Sequence, residues 1–254
     1  MTNLSFRSKD LIESITNRSD LPHIVIAVDG PAASGKGTLS RALARRLGCA
    51  HMDTGALYRA VGHEVLLAGH DPAQEGQAVQ AAQQLGAKIL KALEAGSGLD
   101  VILGHEALRN DDVANAASVV AAMPQVRDAL RDIQRDFAKK PGEGWHGSIL
   151  DGRDIGTVIC PDAHVKLYIT AQDEIRAKRR MKELQSKGIQ VTYEAVLAQM
   201  RERDKRDSER ESSPLKPAED AYVLDTSHLS ESEMLDQALS FIRARLASTF
   251  SRTL

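Results

Sequence analysis

A chain of 254 residues, 42% hydrophobic and 27% charged, is long enough for one α/β domain with a smaller inserted domain or lid. The net charge of −2 argues against a general binder of nucleic acid or membrane surfaces, because such proteins usually carry a large basic excess. Aromatic residues make up only 4% of the chain, too few for an extended surface on which bases stack. Any anion site must therefore be a local concentration of arginine and lysine.

The few cysteines and histidines do not indicate a metal site or a disulfide framework. Two cysteines, Cys49 and Cys160, are too few for either, and we interpret both as reduced packing residues. The eight histidines are scattered without the spacing of metal ligands and are given no role. No stretch approaches the ~20 apolar residues of a membrane span, and the N-terminus lacks the apolar region of a signal peptide. These features predict a cytoplasmic protein.

The first predicted elements are an appendage, a strand and a helix. Residues 1–22 precede the first strand and are expected to be partly disordered or to form a short helix. Residues 24–28 are an unbroken apolar, β-branched run, which is typical of a central parallel strand covered on both faces. Residues 38–47 carry leucines at four-residue spacing and are followed by Gly48, which predicts a helix with a glycine C-cap.

Strands and helices then alternate, apart from one long segment. Apolar runs predict strands at 49–52, 149–150, 165–169 and 222–224, and helical patterns fill 173–186 and 193–207. This alternation predicts an α/β fold with a parallel, doubly wound sheet. Residues 58–145 break the rhythm with alanine-rich helices and an expected small hairpin at 99–103, so we interpret them as an inserted domain. The core is then residues 23–57 and 146–254, with a short helical lid at about 201–216.

A glycine-rich loop between the first strand and the first helix predicts a phosphate-binding site. It consists of Gly30, Pro31, Ala32, Ala33, Ser34, Gly35, Lys36, Gly37 and Thr38. Small residues let backbone N–H groups approach phosphate oxygens, the helix N-terminus adds a favourable dipole, and the lysine reaches the β/γ-phosphates. Gly37 separates Lys36 from Thr38, whereas the common pattern has Ser or Thr directly after Lys, so a magnesium contact of Thr38 stays open. The alternative, a glycine turn beside a solvated lysine, is disfavoured by the strand–loop–helix context.

Arginines in separate segments beyond this loop indicate an enzyme that brings two phosphates together. They are Arg59, Arg127, Arg153, Arg203 and Arg210. Guanidinium groups grip phosphate oxygens with two parallel hydrogen bonds. A phosphate acceptor arrives ionised and needs only neutralisation and in-line alignment, whereas a hydroxyl acceptor would need a base, and no histidine is a candidate for one. Taken singly, each arginine is equally compatible with a surface ion pair.

Five motifs, in this order along the chain, resemble those of bacterial cytidylate kinases, which are nucleoside monophosphate kinases among the P-loop NTPases. Besides the phosphate loop they are residues 52–59, 113–118, 151–156 and 201–207. The resemblance implies a P-loop NTPase core, an inserted NMP-binding domain, a short lid, ATP and Mg²⁺ as cofactors, and CMP or dCMP as acceptor. We expect a monomer with neither polymeric nucleic acid nor a membrane as partner.

The resemblance also implies a role for each matched residue. Catalytic roles fall to Lys36, Arg153, Arg203 and Arg210, and ATP binding to residues 30–38. The acceptor would be bound by Thr54, Arg59, Ser118, Arg127, Arg153, Asp154, Arg203, Asp207 and Arg210, and magnesium by Thr38 and Asp151, with Asp53 as a weaker candidate. Within this set Ser118, Arg127 and Asp154 would contact cytosine, whose exocyclic amine can donate to a carboxylate, and Asp207 would hold the sugar.

Other interpretations of these residues stay open on the sequence alone. Asp151 ends a strand and could face a nucleotide crevice or cap a turn. Arg203, Asp207 and Arg210 recur at i, i+4 and i+7 and so share a helix face, which also allows pairing within that helix. Ser118 could be a small packing residue. The competing functions are a kinase for UMP or for a hydroxyl acceptor, and a nucleotide-dependent switch, although the sequence has no Asn-Lys-x-Asp guanine motif.

Overall fold

Five parallel strands form a sheet in the computed structural model, which describes residues 23–95 and 99–250. The strands are β1 (Ile24–Asp29), β2 (Ala50–Asp53), β3 (Gly147–Gly152), β4 (Val165–Thr170) and β5 (Tyr222–Asp225). Their order across the sheet is β2-β3-β1-β4-β5, with every neighbouring pair parallel. The carboxyl ends of the strands therefore meet at one edge, where open α/β sheets bind ligands.

Helices cover this sheet and continue beyond it. They are α1 (Lys36–Leu47), α2 (Thr54–Leu67), α3 (Glu75–Glu94), α4 (Asp100–Leu103), α5 (Asp111–Val120), α6 (Pro124–Lys139), α7 (Asp173–Ser186), α8 (Tyr193–Ser208) and α9 (Glu231–Phe250). A 3₁₀ turn (Glu106–Arg109) precedes α5, and a π-helical turn (Ile155–Ile159) follows β3. None of the helices in the described ranges is long and apolar enough to cross a membrane.

Alternate side chains of β1 point to opposite faces of the sheet and belong to two different hydrophobic cores. Ile26 and Val28 belong to one core and Ala27 to the other, and all three side chains are fully buried. The first core packs α1 and α9 against the sheet, while the second packs α2, α3, α5 and α6 against the opposite face. Because both faces of β1 are covered, its first five residues are apolar, as the run at 24–28 predicts.

The predicted strands and the three predicted helices are confirmed, with their ends shifted by up to a few residues. The hairpin expected at 99–103 is wrong, because Asp100–Leu103 form a one-turn helix. Leu99, Ile102 and Leu103 have the i, i+3, i+4 spacing of a helix face, and all three pack against the second core. The expected appendage of residues 1–22 lies outside the described residues.

The helix α8 ends earlier than its charge spacing predicts. Its last residue is Ser208, so the expectation that Arg210 shares a helix face with Arg203 and Asp207 is wrong. The carbonyl of Asp207 accepts instead from the N–H of Leu215 over 2.8 Å and from Nε of Arg210 over 3.2 Å. These contacts from the following chain replace the helical pattern, and Arg210 still lines the same cavity as Asp207.

The helices between residues 58 and 145 share the second core with the sheet. Gly62 of α2 lies so close to α5 that an added Cβ would lie 2.9 Å from the backbone nitrogen of Ala117. Glycine allows this close approach, and it holds α5, with Ser118, against α2. The boundaries of an inserted domain at residues 58 and 145 stay a prediction.

Candidate active site

The loop of residues 30–38 is shaped by two glycines. Gly30 has a φ of 149°, and an added Cβ would lie 2.0 Å from the carbonyl oxygen of Ile169 on β4, so only glycine fits. Gly35 has a φ of 91° and immediately precedes α1, where it offers no side chain to cap the helix. The first N–H groups of α1 are therefore left to bind an anion.

Three side chains, two of them from outside the loop, hold its carbonyl groups. Thr226 Oγ1 donates to the carbonyl of Ser34 over 2.8 Å, and the fully buried hydroxyl of Ser34 donates to the carbonyl of Pro31. Arg176 donates to the carbonyl of Ala32 over 3.2 Å. The loop is thus fixed before any ligand binds, as a preorganised phosphate site requires.

A cavity of about 160 Å³ adjoins the loop at the carboxyl edge of the sheet. The residues assigned from the sequence that line it are Lys36, Gly37, Asp53, Thr54, Arg59, Ser118, Arg127, Asp151, Arg153, Asp154, Arg203, Asp207 and Arg210. Five further residues complete the lining, namely Gly55, Tyr58, Ala117, Ala121 and Gly152. The structure does not bring Thr38 or the first six residues of the loop into this lining.

Arginines converge on Asp207 of α8. Arg153 Nε donates to Asp207 Oδ2 over 2.9 Å, and Arg210 Nη2 lies 3.9 Å from Oδ1. Burial acts to raise the pKa of Asp207, but the charge of Arg153 and the other arginines outweighs burial and holds the pKa below its usual range. Asp207 is therefore an ionised carboxylate that fixes the position of these arginines.

The cavity carries more positive than negative side chains. Six basic and four acidic residues line it, and Arg203 Nε and Arg210 Nη2 are buried with no hydrogen-bond partner among the described residues. Burial, followed by the charge of Arg153, lowers the pKa of Lys36 to about 8. The same two causes lower the pKa of Arg203 to about 10. Buried donors without hydrogen-bond partners, together with mutually repelling cations, indicate a site for an anionic ligand.

A buried ion pair and a hydroxyl form a second group in the cavity. Arg127 donates to Asp154 and, over 3.1 Å, to the carbonyl of Ala121, and its guanidinium carbon lies 5.4 Å from the ring centre of Tyr58. Ser118 Oγ, 5% exposed as a residue, accepts from Arg206 over 3.0 Å. A carboxylate, a guanidinium and a hydroxyl together can recognise the polar edge of a heterocycle.

The family model named "Cytidylate kinase" matches residues 26–244 of this chain. The chain belongs to the cytidylate kinase family. The cytidylate kinase of Paramagnetospirillum magneticum is 52% identical over 221 residues, covering 87% of this chain and 98% of that protein. The cytidylate kinase of Rhodospirillum rubrum is 49% identical over 226 residues, covering 89% of this chain and all of that protein. The chain is thus a phosphotransferase with cytidylate kinase function, and it acts on small nucleotides.

One solved structure is more distant from this chain. TT1252 from Thermus thermophilus is 21% identical with a TM-score of 0.44, covering 89% of this chain and 99% of that chain. A likeness at this level adds nothing to the family assignment.

Carboxylates at the ends of β2 and β3 could hold a magnesium ion, the metal that commonly accompanies ATP. Asp53 and Asp151 are partners in the strand register, and Asp151 is buried. No cluster of three or more potential metal ligands occurs within the described part of the chain. The donor set fits Mg²⁺, which keeps several waters and is usually bound by one or two carboxylates plus substrate phosphates.

Three residues at the site, His51, Asp29 and Arg206, have no role predicted from the sequence. His51 Nε2 lies 2.7 Å from Asp151 Oδ2, and the alternation of His51 and Asp53 along β2 is the signal that could have revealed it. Asp29 and Arg206 contact partners 126 and 88 positions away in the chain, which no local pattern reveals.

Proposed function

We propose that the chain transfers the γ-phosphate of ATP to CMP or dCMP, giving CDP or dCDP and ADP. The excess of basic side chains in the cavity is the observation that supports this most directly. The unpartnered donors of Arg203 and Arg210 lie where an acceptor phosphate would supply the missing negative charge. The loop of residues 30–38 lies next to them and suits the phosphates of ATP.

On the donor side, residues 30–38 bind the phosphates of ATP through their N–H groups, and Lys36 follows the γ-phosphoryl group as charge develops on it. The neighbouring cations and burial lower the pKa of Lys36 to about 8. Anionic phosphates counter both influences, so the charged lysine is stabilised when ATP is bound.

On the acceptor side, the phosphate of CMP is gripped by Arg59, Arg153, Arg203 and Arg210, while Asp207 accepts from the sugar hydroxyls. Thr54 lines the same cavity, and its Oγ1 donates to the carbonyl of Asp151 over 2.8 Å, which ties α2 to the end of β3. The acceptor phosphate is ionised before it binds, so no residue has to remove a proton. The chain contributes alignment and neutralisation of two anions.

Magnesium would be held by Asp151, directly or through water, with Thr38 and Asp53 as further candidates. The ion would supply positive charge at the β- and γ-phosphates of ATP. His51 contacts Asp151 over 2.7 Å and so orients this carboxylate.

Base recognition rests on Asp154, Arg127 and Ser118. Cytosine carries an amine donor at C4, which Asp154 can accept from, whereas uracil presents an oxygen that the carboxylate repels. A complementary pair of this kind is worth ~1–3 kcal/mol, or roughly ten- to hundred-fold in favour of CMP over UMP. Because Arg206 already donates to Ser118 Oγ, the serine O–H remains to donate to an acceptor atom of the base.

The ratio of kcat/KM for CMP to that for UMP, measured in the wild type and in Asp154→Asn, tests this function. We expect a wild-type ratio of roughly 10 to 100. The ratio should fall in Asp154→Asn, because the amide can turn its NH₂ towards uracil O4. Asp136→Asn, an exposed position on α6, is the matched control and should leave the ratio unchanged. A wild-type ratio near one, or an unchanged ratio in Asp154→Asn, would contradict the proposal.

We also propose a monomer that acts in the cytoplasm, in pyrimidine nucleotide metabolism. The names of the relatives support the metabolic setting.

A further inference from the structure

Asp29, the last residue of β1, makes an unusual pair of contacts. Its carboxylate is buried, and the side chain belongs to a residue only 5% exposed. Oδ1 accepts from the N–H of Ile155 and Oδ2 from the N–H of Gly156, both over 2.8 Å. A strand that leads into the phosphate loop thus holds the turn that follows Asp154.

The turn Ile155–Ile159 would ordinarily be capped by the residue that precedes it. That residue is Asp154, a favoured capping residue type, but its side chain makes no capping hydrogen bond. The carboxylate of Asp154 pairs with Arg127 instead. Asp29 satisfies the first two N–H groups of the turn from another strand, and Asp154 is left free to face the cavity.

Without Asp29, the buried N–H groups of Ile155 and Gly156 would lose their acceptor, which is a costly state for backbone donors. Asp154 is the adjacent carboxylate and the residue whose position suits capping, so it would turn towards them. That rotation would take Asp154 away from Arg127 and from the cavity.

The surroundings of Asp29 disfavour its charge. Burial raises the pKa of Asp29 to about 7, although its hydrogen bonds from Gly156 and Ile155 act to lower it. The charge of Asp154 raises this pKa further and that of Lys36 lowers it. A carboxylate retained in such a place is more common at functional sites than elsewhere in a fold.

We propose that Asp29 is a positioning residue for base recognition, which caps the turn Ile155–Ile159 from β1 and thereby leaves the Asp154 carboxylate free for the cytosine amine. The proposal rests on the proposed function, in which Asp154 reads the base. It also links the two substrates, because the residue after Asp29 is Gly30, the first of the phosphate loop.

Asp29→Asn tests this role, because the amide keeps the size of the side chain but sets its NH₂ against one of the two N–H donors. Since a displacement of about 1 Å at a positioned group costs on the order of 100-fold, we expect the CMP-to-UMP ratio of kcat/KM to fall at least about five-fold. The KM for CMP should rise more than the KM for ATP. Ser148→Ala is the matched control, since it removes another buried hydrogen bond, from Ser148 Oγ to the carbonyl of Ala138, and should leave the ratio unchanged.

The double variant Asp29→Asn/Asp154→Asn separates this role from general damage to the fold. If Asp29 acts through Asp154, the double variant has the same ratio as Asp154→Asn alone. A ratio that is unchanged in Asp29→Asn while Asp154→Asn narrows it would overturn this inference and leave the proposed function intact. An unchanged ratio in Asp154→Asn itself would overturn both. Should Asp29→Asn fail to fold, Asp29→Ser takes its place, since one hydroxyl oxygen cannot accept from both N–H groups. The CMP-to-UMP ratios of kcat/KM are then interpreted in the same way.

Discussion

At the scale of single residues, the site is a group of cations held close together before any anion is present. Lys36 and Arg203 both have pKa values lowered by burial first and by Arg153 second, to about 8 and about 10. Asp207 offsets part of this charge, and its own pKa stays low because the arginines outweigh its burial. The proposed binding of phosphates would relieve this repulsion between cations, an arrangement that is common at functional sites.

We expect the affinity for ATP to fall as pH rises through about 8. Below that pH Lys36 is charged both with and without ATP, whereas above it the ligand-free lysine is neutral and must take up a proton on binding. The loss should approach about ten-fold per pH unit. Titration calorimetry from pH 7.5 to 9.5 in two buffers of different ionisation enthalpy measures both the affinity and the proton uptake. Lys36→Met should bind more weakly but lose this pH dependence, and a wild-type affinity that stays flat over the range would argue against the assignment.

The sequence predicted this site as far as local patterns reach. Residues 30–38 stand next to one another, so their function is visible without knowledge of the fold. The hydrogen bond from the N–H of Ile155 to Asp29 depends on β1 and β3 lying side by side. The contact of His51 with Asp151 depends on β2 lying next to β3. Strand order is a property of the tertiary structure, so these partners could not be predicted from the chain alone.

At the scale of elements, α5 is connected to α7 and α8 by side-chain contacts. Arg180 of α7 pairs with Asp111 at the start of α5, and Arg206 of α8 donates to Ser118 over 3.0 Å. The contact of Arg206 with Ser118 joins the segment predicted as the lid to the segment predicted as the insert, while that of Arg180 joins the insert to the core. The residues proposed to bind the acceptor come from both the predicted insert and the predicted lid. We therefore expect closure of the lid onto the insert to depend on the bound nucleotides.

We expect ATP and CMP together to protect residues 201–213 and α5 from amide hydrogen exchange far more than either nucleotide alone. Each phosphate neutralises only part of the cation cluster, and the two together remove the repulsion that opposes closure. Hydrogen exchange with a non-hydrolysable ATP analogue measures this, with the central strand β1 as an internal reference whose protection should not change. Equal protection by the ATP analogue alone would show that the acceptor does not drive closure.

Helices and strands were predicted correctly where the hydrophobic pattern was long and consistent, and wrongly where the pattern covered only a few residues. The strand β1 was predicted from its unbroken apolar run, and α1 from leucines that recur every four residues over the whole helix. Residues 99–103 offered too few positions to tell an apolar strand from a helix turn, and packing of Ile102 on the second core decides for the helix. The expectation that Arg210 continues the face of α8 failed because the N–H of Leu215, seven residues beyond the helix, donates to the carbonyl of Asp207.

At the scale of the whole molecule, one sheet connects the glycine-rich loop with the turn after β3, the two places where ATP and the acceptor are proposed to bind. β1 leads into the loop, β3 into residues 151–156, and the two strands pair along their full length. Hydrophobic cores on both faces fix this pairing. The family match begins at residue 26, within β1 and after the N-terminal segment.

We therefore expect deletion of residues 1–22 to leave turnover with CMP within a few-fold of the full chain. The segment precedes β1 and holds none of the site residues. Steady-state kinetics of the full and the shortened chain measure the effect. Circular dichroism ensures that the two are compared at equal concentrations of folded protein. A large loss in a well-folded shortened chain would show that the segment shapes the site.

An ADP-release assay with CMP, dCMP, UMP, AMP and GMP as acceptors tests the central claim most directly, namely that the cation-rich cavity selects a cytidine monophosphate for phosphoryl transfer. Lys36→Ala, which removes one member of a mutually repelling cluster, serves as the inactive but folded control. We expect CMP and dCMP to be turned over with a kcat/KM at least about ten-fold above that of each other nucleotide, and Lys36→Ala to abolish release while keeping a near-normal melting temperature. Turnover that is equal for all five nucleotides, or that favours UMP or a purine nucleotide, would contradict the account.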